Sequence, residues 1–297
     1  MKEYKTNKVG VDFSEASVAA LHEALRLARA AGGRVIAVEV VEKHVLEQQI
    51  HQHKIAAEQA MERIHSNLIK HLAANGATHG VESRIILGTP YAGLCEVAEL
   101  VAADLLVLGS RGWDHSPGKV GTVAARCVRR APLPVLLVRH HHAGNFQRVV
   151  ACTDFSDPAS AALAHAAMIA RAEGAALGII HIDYPVWLQP VHVQYELLRA
   201  PAEDYQDEYR AAVRARLDAH VAAAVPDLPA GTTVEVIEDA SAADAIARHL
   251  KDVGADLVVL GTSGRGGFNA MFLGTTAERL LHRSDCSVLA VKSATAR

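Results

Sequence analysis

Residues 261–275 read GTSGRGGFNAMFLGT and join a predicted buried strand, DLVVL at 256–260, to a predicted helix, TTAERLLHR at 275–283. A glycine-rich loop that leaves a strand and enters a helix N-terminus is typical of phosphate binding. The reason is that its bare N–H groups and the helix dipole both favour an anion. The stretch therefore predicts an α/β fold that binds a nucleotide.

The chain contains one unit twice. Three segments recur in the same order, namely Asp12-Phe13-Ser14 as Asp154-Phe155-Ser156, ADLLVLGSRG from Ala103 as ADLVVLGTSG from Ala255, and PVLLVR from Pro134 as SVLAVK from Ser287. We predict two domains, over residues 1–143 and 144–297. The spacing between the copies grows by ten residues before Val234, which places an insertion within 183–205.

Each half alternates strands with helices. In the first half the strands are predicted near 8–12, 34–41, 81–87, 104–109 and 134–139, and the helices after Ser14 and over roughly 46–75, 91–102 and 122–131. This alternation predicts two tandem, doubly wound, parallel five-stranded sheets with right-handed crossovers. Ligands bind beyond the carboxyl ends of such strands, and both the DFS triplets and the glycine loops follow strands.

The second-half loop has residue types suited to phosphates. Gly264 permits a left-handed turn, and Gly274 lets the chain pass close to phosphates. Thr275 is predicted to cap the helix in a capping box with Glu278. Asp154 suits a hydrogen bond to a base or ribose, or Mg²⁺. In the alternative interpretation the glycines form an ordinary surface loop and Asp154 only caps its helix.

The first-half loop is an imperfect copy. Gly112 and Gly121 are separated by eight residues, whereas nine separate Gly264 from Gly274. Asp114 adds negative charge near the expected phosphates. We therefore predict that the second half is the main nucleotide site.

Two motifs of the second half occur in a characteristic order, namely Thr153-Asp154-Phe155-Ser156 and then G-x2-G-x9-G-T. In this order the chain resembles the universal stress protein family in its tandem two-domain form, and the resemblance covers nearly all of both halves. The resemblance implies a Rossmann-like fold of the adenine nucleotide alpha hydrolase-like class. It also implies binding of ATP (or AMP or ADP) with Mg²⁺, for which Asp154 is the candidate ligand through the phosphates. The implied nucleotide contacts of the second half are Asp154, Ile182, Gly261, Gly264, Gly274, Thr275 and Thr276. The matching residues of the first half are Asp12, Val40, Gly109, Gly112, Gly121 and Thr122.

The resemblance implies a stress-response protein that acts as a nucleotide-dependent switch or sensor. The chain has no G-x4-G-K-S/T sequence and no clear residue to position an attacking water, so we do not predict efficient catalysis. A slow ATP-hydrolysing enzyme and a nucleotide-free interaction scaffold stay open as alternatives.

In single-domain relatives the last strand makes a dimer, which implies an intramolecular pseudo-dimer of the two halves here. A homodimer and an unidentified protein partner are further expectations.

The charge balance argues against two classes of partner. Lys and Arg number 30 against 33 Asp and Glu, for a net charge of −3, which gives no case for nucleic acid or an anionic membrane. The four cysteines are scattered and MKEYKTNK lacks an apolar signal region, so a reduced, cytoplasmic protein is expected.

The insertion is rich in aromatic residues, at Tyr184, Trp187, Tyr195 and Tyr205. It is predicted either to cover the nucleotide site or form a partner surface, or to pack on the long helix of its own domain.

Overall fold

A computed structural model describes residues 4–110, 120–139, 141–188, 203–262 and 273–292, without the side chains of 97–100. Its contacts divide the chain into two compact units. One extends to Gly144 and includes Cys286–Leu289, and the other covers Asn145–Asp285 and resumes at Ala290. The domain boundary at 143/144 stays a prediction. No helix in the described part of the chain combines the length and the apolar character that crossing a bilayer demands.

The first unit is a parallel sheet flanked by helices. Its elements in chain order are β1 (Thr6–Gly10), α1 (Glu15–Ala30), β2 (Arg34–Val41), α2 (Lys43–His53), α3 (Ala57–Ala74), β3 (Val81–Leu87), α4 (Pro90–Leu100), β4 (Leu105–Gly109), α5 (Thr122–Arg130) and β5 (Val135–Val138). The strand order is β3-β2-β1-β4-β5, and every paired neighbour is parallel. This order confirms the predicted doubly wound α/β fold.

The second unit repeats that plan. Its elements are β6 (Arg148–Thr153), α6 (Asp157–Glu173), β7 (Ala176–Asp183), a 3₁₀ turn (Val186–Leu188), α7 (Glu203–Ala224), β8 (Thr233–Glu238), α8 (Ala242–Asp252), β9 (Leu257–Gly261) and α9 (Thr275–Arg283). The last strand, β10 (Ser287–Val291), is divided between the units, because Ser287–Leu289 is grouped with the first and the rest with the second. The parallel order is β9-β6-β7-β8. β10 lies beside β9, where the Thr262 N–H donates to the Val291 carbonyl at 2.9 Å.

The central strands are buried on both faces, as their continuous apolar sequences predict. Leu105–Leu108 and Leu257–Leu260 are all buried. The helices that follow the first strand of each unit begin at serine caps. Ser14 accepts a hydrogen bond from the Ser17 N–H at 3.2 Å. Each DFS triplet therefore lies at the carboxyl edge of its sheet, between a buried strand and a capped helix.

The prediction of one helix over 46–75 is wrong. The structure has two helices, separated by Lys54 in a left-handed conformation with φ of 51°. Only the second helix carries an apolar stripe at helical spacing, with Ala60, Ile64, Leu68 and Leu72 buried, whereas α2 has no buried residue. The sheet therefore packs against α3, and α2 can turn away from it.

Candidate functional site

The DFS turn fixes Asp154 at the edge of the second sheet. Its Oδ1 accepts the Ser156 N–H at 3.0 Å and the Ser156 hydroxyl at 2.5 Å. Ser156 Oγ in turn caps α6 by accepting from the Ala159 N–H at 3.3 Å. Phe155 between them adopts the left-handed region with φ of 66°, which is uncommon for a bulky residue. The alternative interpretation is therefore right in one respect, since Asp154 does support a helix cap.

A cavity of about 230 Å³ opens at the same edge, on the face covered by α8 and α9. We call it the site cavity. Its lining includes six of the residues predicted to contact nucleotide, namely Asp154, Ile182, Gly261, Gly274, Thr275 and Thr276. Gly264 lies outside the described residues. The rest of the lining is mostly apolar and comprises Cys152, Thr153, Ala159, Ile180, Ala242, Ile246, Leu260, Ala277 and Leu280. An apolar wall beside a few polar groups is typical of small-molecule sites.

The N-terminus of α9 borders this cavity, and it corrects one prediction. Gly274, not Thr275, is the N-cap, and no side-chain hydrogen bond caps the helix in the described residues. The Gly274 N–H donates to the Thr262 carbonyl at 2.8 Å, which holds the helix start against the end of β9. The predicted capping box is wrong because Thr275 is already helical. Since Gly274 offers no side-chain oxygen to the first-turn N–H groups, these groups suit an anionic ligand.

Gly261 has a packing reason to be glycine that is independent of any ligand. A β-carbon there would lie 2.9 Å from the backbone nitrogen of Ala159, at the start of α6. Gly109 repeats this in the first half, with a β-carbon 2.6 Å from the Ala16 carbonyl carbon. Both glycines let the end of a strand touch the start of a helix.

A second cavity of about 560 Å³ lies on the α7 face of the second sheet and shares Asp154 and Ile182 with the site cavity. Its other lining residues are Phe155, His181, Asp183, Tyr209, Ala212, Val213 and Arg216. Sequence reasoning missed this group. A histidine and an aspartate within the otherwise apolar β7 were the available signal.

Side chains of β7 and α7 pack around the Phe155 ring. The ring centroids of His181 and His220 lie 4.3 Å and 5.3 Å from that of Phe155, and the Arg216 guanidinium lies 4.2 Å above the ring. Thr153 links the two histidines. Its carbonyl accepts from His181 Nδ1 at 2.8 Å, and its hydroxyl is 3.0 Å from His220 Nε2. This packing positions the turn from which Asp154 projects.

The first half has the same turn, and apolar side chains pack closely against the end of its first strand, at Gly10. Asp12 Oδ1 accepts from the Ser14 N–H at 3.0 Å and from its hydroxyl at 2.5 Å. Gly10 stands where the second half has Cys152. A β-carbon at Gly10 would lie 2.7 Å from Leu108 Cδ2 and 3.3 Å from Leu94 Cδ2. Leu94 and Leu108 therefore pack against Gly10, whereas the corresponding Ile246 and Leu260 line the site cavity together with Cys152.

The other first-half candidates are placed as follows. The Gly121 N–H donates to the Ser110 carbonyl at 3.0 Å, and Gly121 is the N-cap of α5, which begins at Thr122. Val40 packs near Gly93 of α4, since a β-carbon there would lie 3.1 Å from Val40 Cγ1. Gly112 lies outside the described residues.

The described part of the insertion packs on its own domain. Trp187 meets Tyr209 of α7 at a centroid distance of 5.2 Å, and its indole N–H donates to Glu238 at 3.2 Å. The Arg210 guanidinium lies 5.4 Å from the Trp187 ring. This packing favours the prediction that the insertion packs on the long helix. Tyr195 lies outside the described residues.

Comparison with known proteins gives a consistent result. The Universal stress protein family model matches residues 3–139 and 145–292. Universal stress protein Rv2005c of Mycobacterium tuberculosis is 29% identical over 222 residues, which cover 71% of this chain and 69% of that protein. Universal stress protein Rv1636 of the same organism is 32% identical over 146 residues, which cover 46% of this chain and 98% of that protein.

Solved structures are also similar over nearly the whole chain. A universal stress protein from Archaeoglobus fulgidus matches 98% of this chain and 100% of its own, with a TM-score of 0.69 and 19% identity. At this identity the similarity supports the fold.

Proposed function

The chain belongs to the universal stress protein family, and we propose that its second half binds an adenine nucleotide and acts as a nucleotide-dependent switch or sensor. ATP with Mg²⁺ is the proposed ligand. The observation that carries the proposal is the site cavity. It gathers an aspartate, an apolar wall and a helix N-terminus at one carboxyl edge of a parallel sheet.

Each part of the cavity suits one part of the nucleotide. Ile180, Ile182 and Ile246 provide an apolar surface for the base. Asp154 is placed for a hydrogen bond to the ribose or base. The open first turn of α9, at Thr275 and Thr276, suits the phosphates because the N–H groups and both hydroxyls can donate to them.

Mg²⁺ fits this site only as a partner of the phosphates. Within the described ranges, no group of three His, Cys, Asp or Glu side chains forms a metal site. Mg²⁺ is commonly held by one or two carboxylates together with substrate phosphates and water. Asp154 would supply the carboxylate, although its Oδ1 already accepts two hydrogen bonds from Ser156. Bound Mg²⁺ would neutralise phosphate charge.

We assign the main site to the second half because the two crevices differ in packing. In the first half Leu94 packs against Gly10, where a β-carbon would lie 3.3 Å from Leu94 Cδ2. In the second half the matching residue, Ile246, lines the site cavity. We propose that the first half binds nucleotide weakly at best.

The switch would work through the loop from Gly264 to Gly274, most of which lies outside the described residues. We propose that the nucleotide-bound and nucleotide-free states differ in the surface that this loop offers to a partner. The pseudo-dimer, a homodimer, the protein partner and the cytoplasmic location stay predictions. Slow hydrolysis stays an alternative, which predicts measurable turnover that Asp154→Ala abolishes.

Mass spectrometry of the small molecules released from the purified, denatured full-length protein tests the proposal. We expect ATP, ADP or AMP, or else stoichiometric uptake of added ATP by protein purified empty. Protein that neither retains nor takes up an adenine nucleotide would contradict the proposal and favour the scaffold.

A further inference from the structure

The helix α7 covers its sheet less completely than its counterpart α3 does in the first unit. His71 and His220 fix the correspondence between the helices, because each meets the phenylalanine of its DFS turn edge-on. The buried stripe of α3 consists of Ala60, Ile64, Leu68 and Leu72. The matching residues of α7 are Tyr209, Val213, Leu217 and Val221. Of these four, Tyr209 and Val213 are only half-buried, and the cavity of about 560 Å³ opens beside them. We call it the α7 cavity.

One face of α7 lines this cavity. The lining residues on the helix are Tyr209, Ala212, Val213 and Arg216. They follow one another at helical spacing, so they share one side of the helix. Seven residues, or about 10 Å of helix axis, separate Tyr209 from Arg216. A tyrosine and an arginine therefore stand at opposite ends of a face that is apolar in between.

The two ends of the α7 cavity carry opposite charges. At one end the Tyr209 hydroxyl donates to Asp183 Oδ1 at 3.3 Å, and the described residues give Asp183 no cationic partner. At the other end the Arg216 guanidinium lies 4.2 Å above the Phe155 ring and forms no ion pair within the described ranges. Arg216 is exposed and lines the cavity, so its N–H groups can donate to a ligand.

The fold itself does not require these charges, as the duplicated unit shows. At the positions that match the tyrosine, the aspartate and the arginine, the first half has Ala60, Val41 and Asn67. Ala60 and Val41 are buried apolar residues, at 0% and 3% exposure. The charged lining of the α7 cavity therefore needs an explanation other than packing. A concave, partly apolar surface with a few placed polar groups is typical of a small-molecule site.

We propose that the α7 cavity binds a small zwitterion of the dipeptide class, with its carboxylate on Arg216 and its ammonium group on Asp183. A guanidinium matches a carboxylate in geometry as well as in charge. Asp183 can accept from the ammonium group through the oxygen that Tyr209 does not bind. The apolar side chains of Ile182 and Val213 would contact the body of the ligand.

The distance between the two ends selects the length of the ligand. With a hydrogen bond of about 3 Å at each end, roughly 4 Å of the 10 Å span remains between the charged groups of the ligand. In one α-amino acid the nitrogen and the carboxyl carbon are only about 2.5 Å apart, and one further residue adds up to about 3.5 Å. A dipeptide therefore spans the cavity, whereas a single α-amino acid is too short.

Isothermal titration calorimetry of the full-length protein tests this assignment, with alanyl-leucine as the probe and no nucleotide present. The same dipeptide with an amidated C-terminus, and with an acetylated N-terminus, removes one charge at a time. We expect saturable binding of alanyl-leucine and about tenfold weaker binding of each capped form. No binding of alanyl-leucine at millimolar concentration, or equal affinity for all three compounds, would overturn the proposal. Neither result bears on the nucleotide, because Asp183 and Arg216 do not line the site cavity.

Two variants that carry the first-half residues test which end binds which charge. Arg216→Asn introduces the residue type of Asn67, and Asp183→Val that of Val41, with circular dichroism to check folding. Arg216→Asn should bind alanyl-leucine and its amide equally, yet still discriminate against the acetylated form. Asp183→Val should show the reverse. Each comparison is between ligands on one variant, so a general structural loss does not imitate it. Both preferences unchanged in both variants would refute the assigned contacts.

Discussion

Replacing Asp154 by alanine should reduce both stability and nucleotide affinity, whereas the same change at Asp12 should reduce stability alone. Asp154 Oδ1 accepts two hydrogen bonds from Ser156, at 3.0 Å and 2.5 Å. Hydrogen bonds to charged groups contribute about 1.5–3 kcal/mol each when they are buried. Since Asp154 is only half-buried, we expect Asp154→Ala to cost about 2 kcal/mol in total. Asp12 makes the same bonds but is exposed, so about 1 kcal/mol is expected.

Native-state hydrogen exchange of amides in the first turns of α6 and α1 measures each loss locally, because exchange is followed amide by amide. Asp154→Asn is the control for charge, since its amide oxygen can still accept from Ser156. It should keep most of the stability while losing any affinity that depends on the carboxylate. A change in exchange at α6 of less than about 0.5 kcal/mol in Asp154→Ala would show that these hydrogen bonds do not stabilise the turn. Equal losses of nucleotide affinity in Asp154→Ala and Asp12→Ala would refute the assignment to the second half.

Two further predictions concern stability. Gly109→Ala and Gly261→Ala should each lower the free energy of unfolding by about 1–3 kcal/mol through overpacking. The loss should be larger at Gly109, where the added β-carbon lies 2.6 Å from the Ala16 carbonyl carbon, against 2.9 Å from the Ala159 nitrogen at Gly261. Calorimetry showing an unchanged Tm in both would contradict this. Burial raises the pKa of Glu39 to about 7 from 4.5, so the folded state holds a proton that the unfolded state has lost, and stability should fall as pH rises through that window. Glu39→Gln should therefore be more stable than the unchanged protein at pH 8 by about 1–3 kcal/mol, but not at pH 4, and urea unfolding that gives the same difference at both pH values would contradict this.

Much of the site could be predicted because it depends on topology. In a parallel sheet the strand ends converge on one edge, so residues as distant as Asp154 and Gly274 line a single cavity. The helix cap could not be predicted, because the choice between Gly274 and Thr275 depends on where the backbone becomes helical. The break between α2 and α3 at Lys54 could not be predicted either, because no glycine or proline marks it in the sequence.

The burial of Lys8 was not predicted from sequence because a charged side chain in a strand is typical of an exposed position. Lys8 is long enough to reach the α4 carbonyls from inside the sheet, and only the packing reveals this. The useful signal lies in the repeat. Wherever two copies of one unit differ in polarity at a buried position, as at Lys8 and Val150, the polar copy is a candidate for a separate role.

The most direct test of the nucleotide assignment is the affinity for ATP of two matched variants, Gly274→Val and Gly121→Val, by isothermal titration calorimetry. Both glycines are helix N-caps with φ near −60° and ψ near 145°, a conformation that valine can adopt, so both variants should fold. The side chain introduced by Gly274→Val would occupy the site cavity, and a loss of about 3 kcal/mol in binding corresponds to roughly 100-fold weaker affinity. We expect that loss for Gly274→Val and near-normal affinity for Gly121→Val. Unchanged affinity in Gly274→Val, with the loss in Gly121→Val instead, would contradict it.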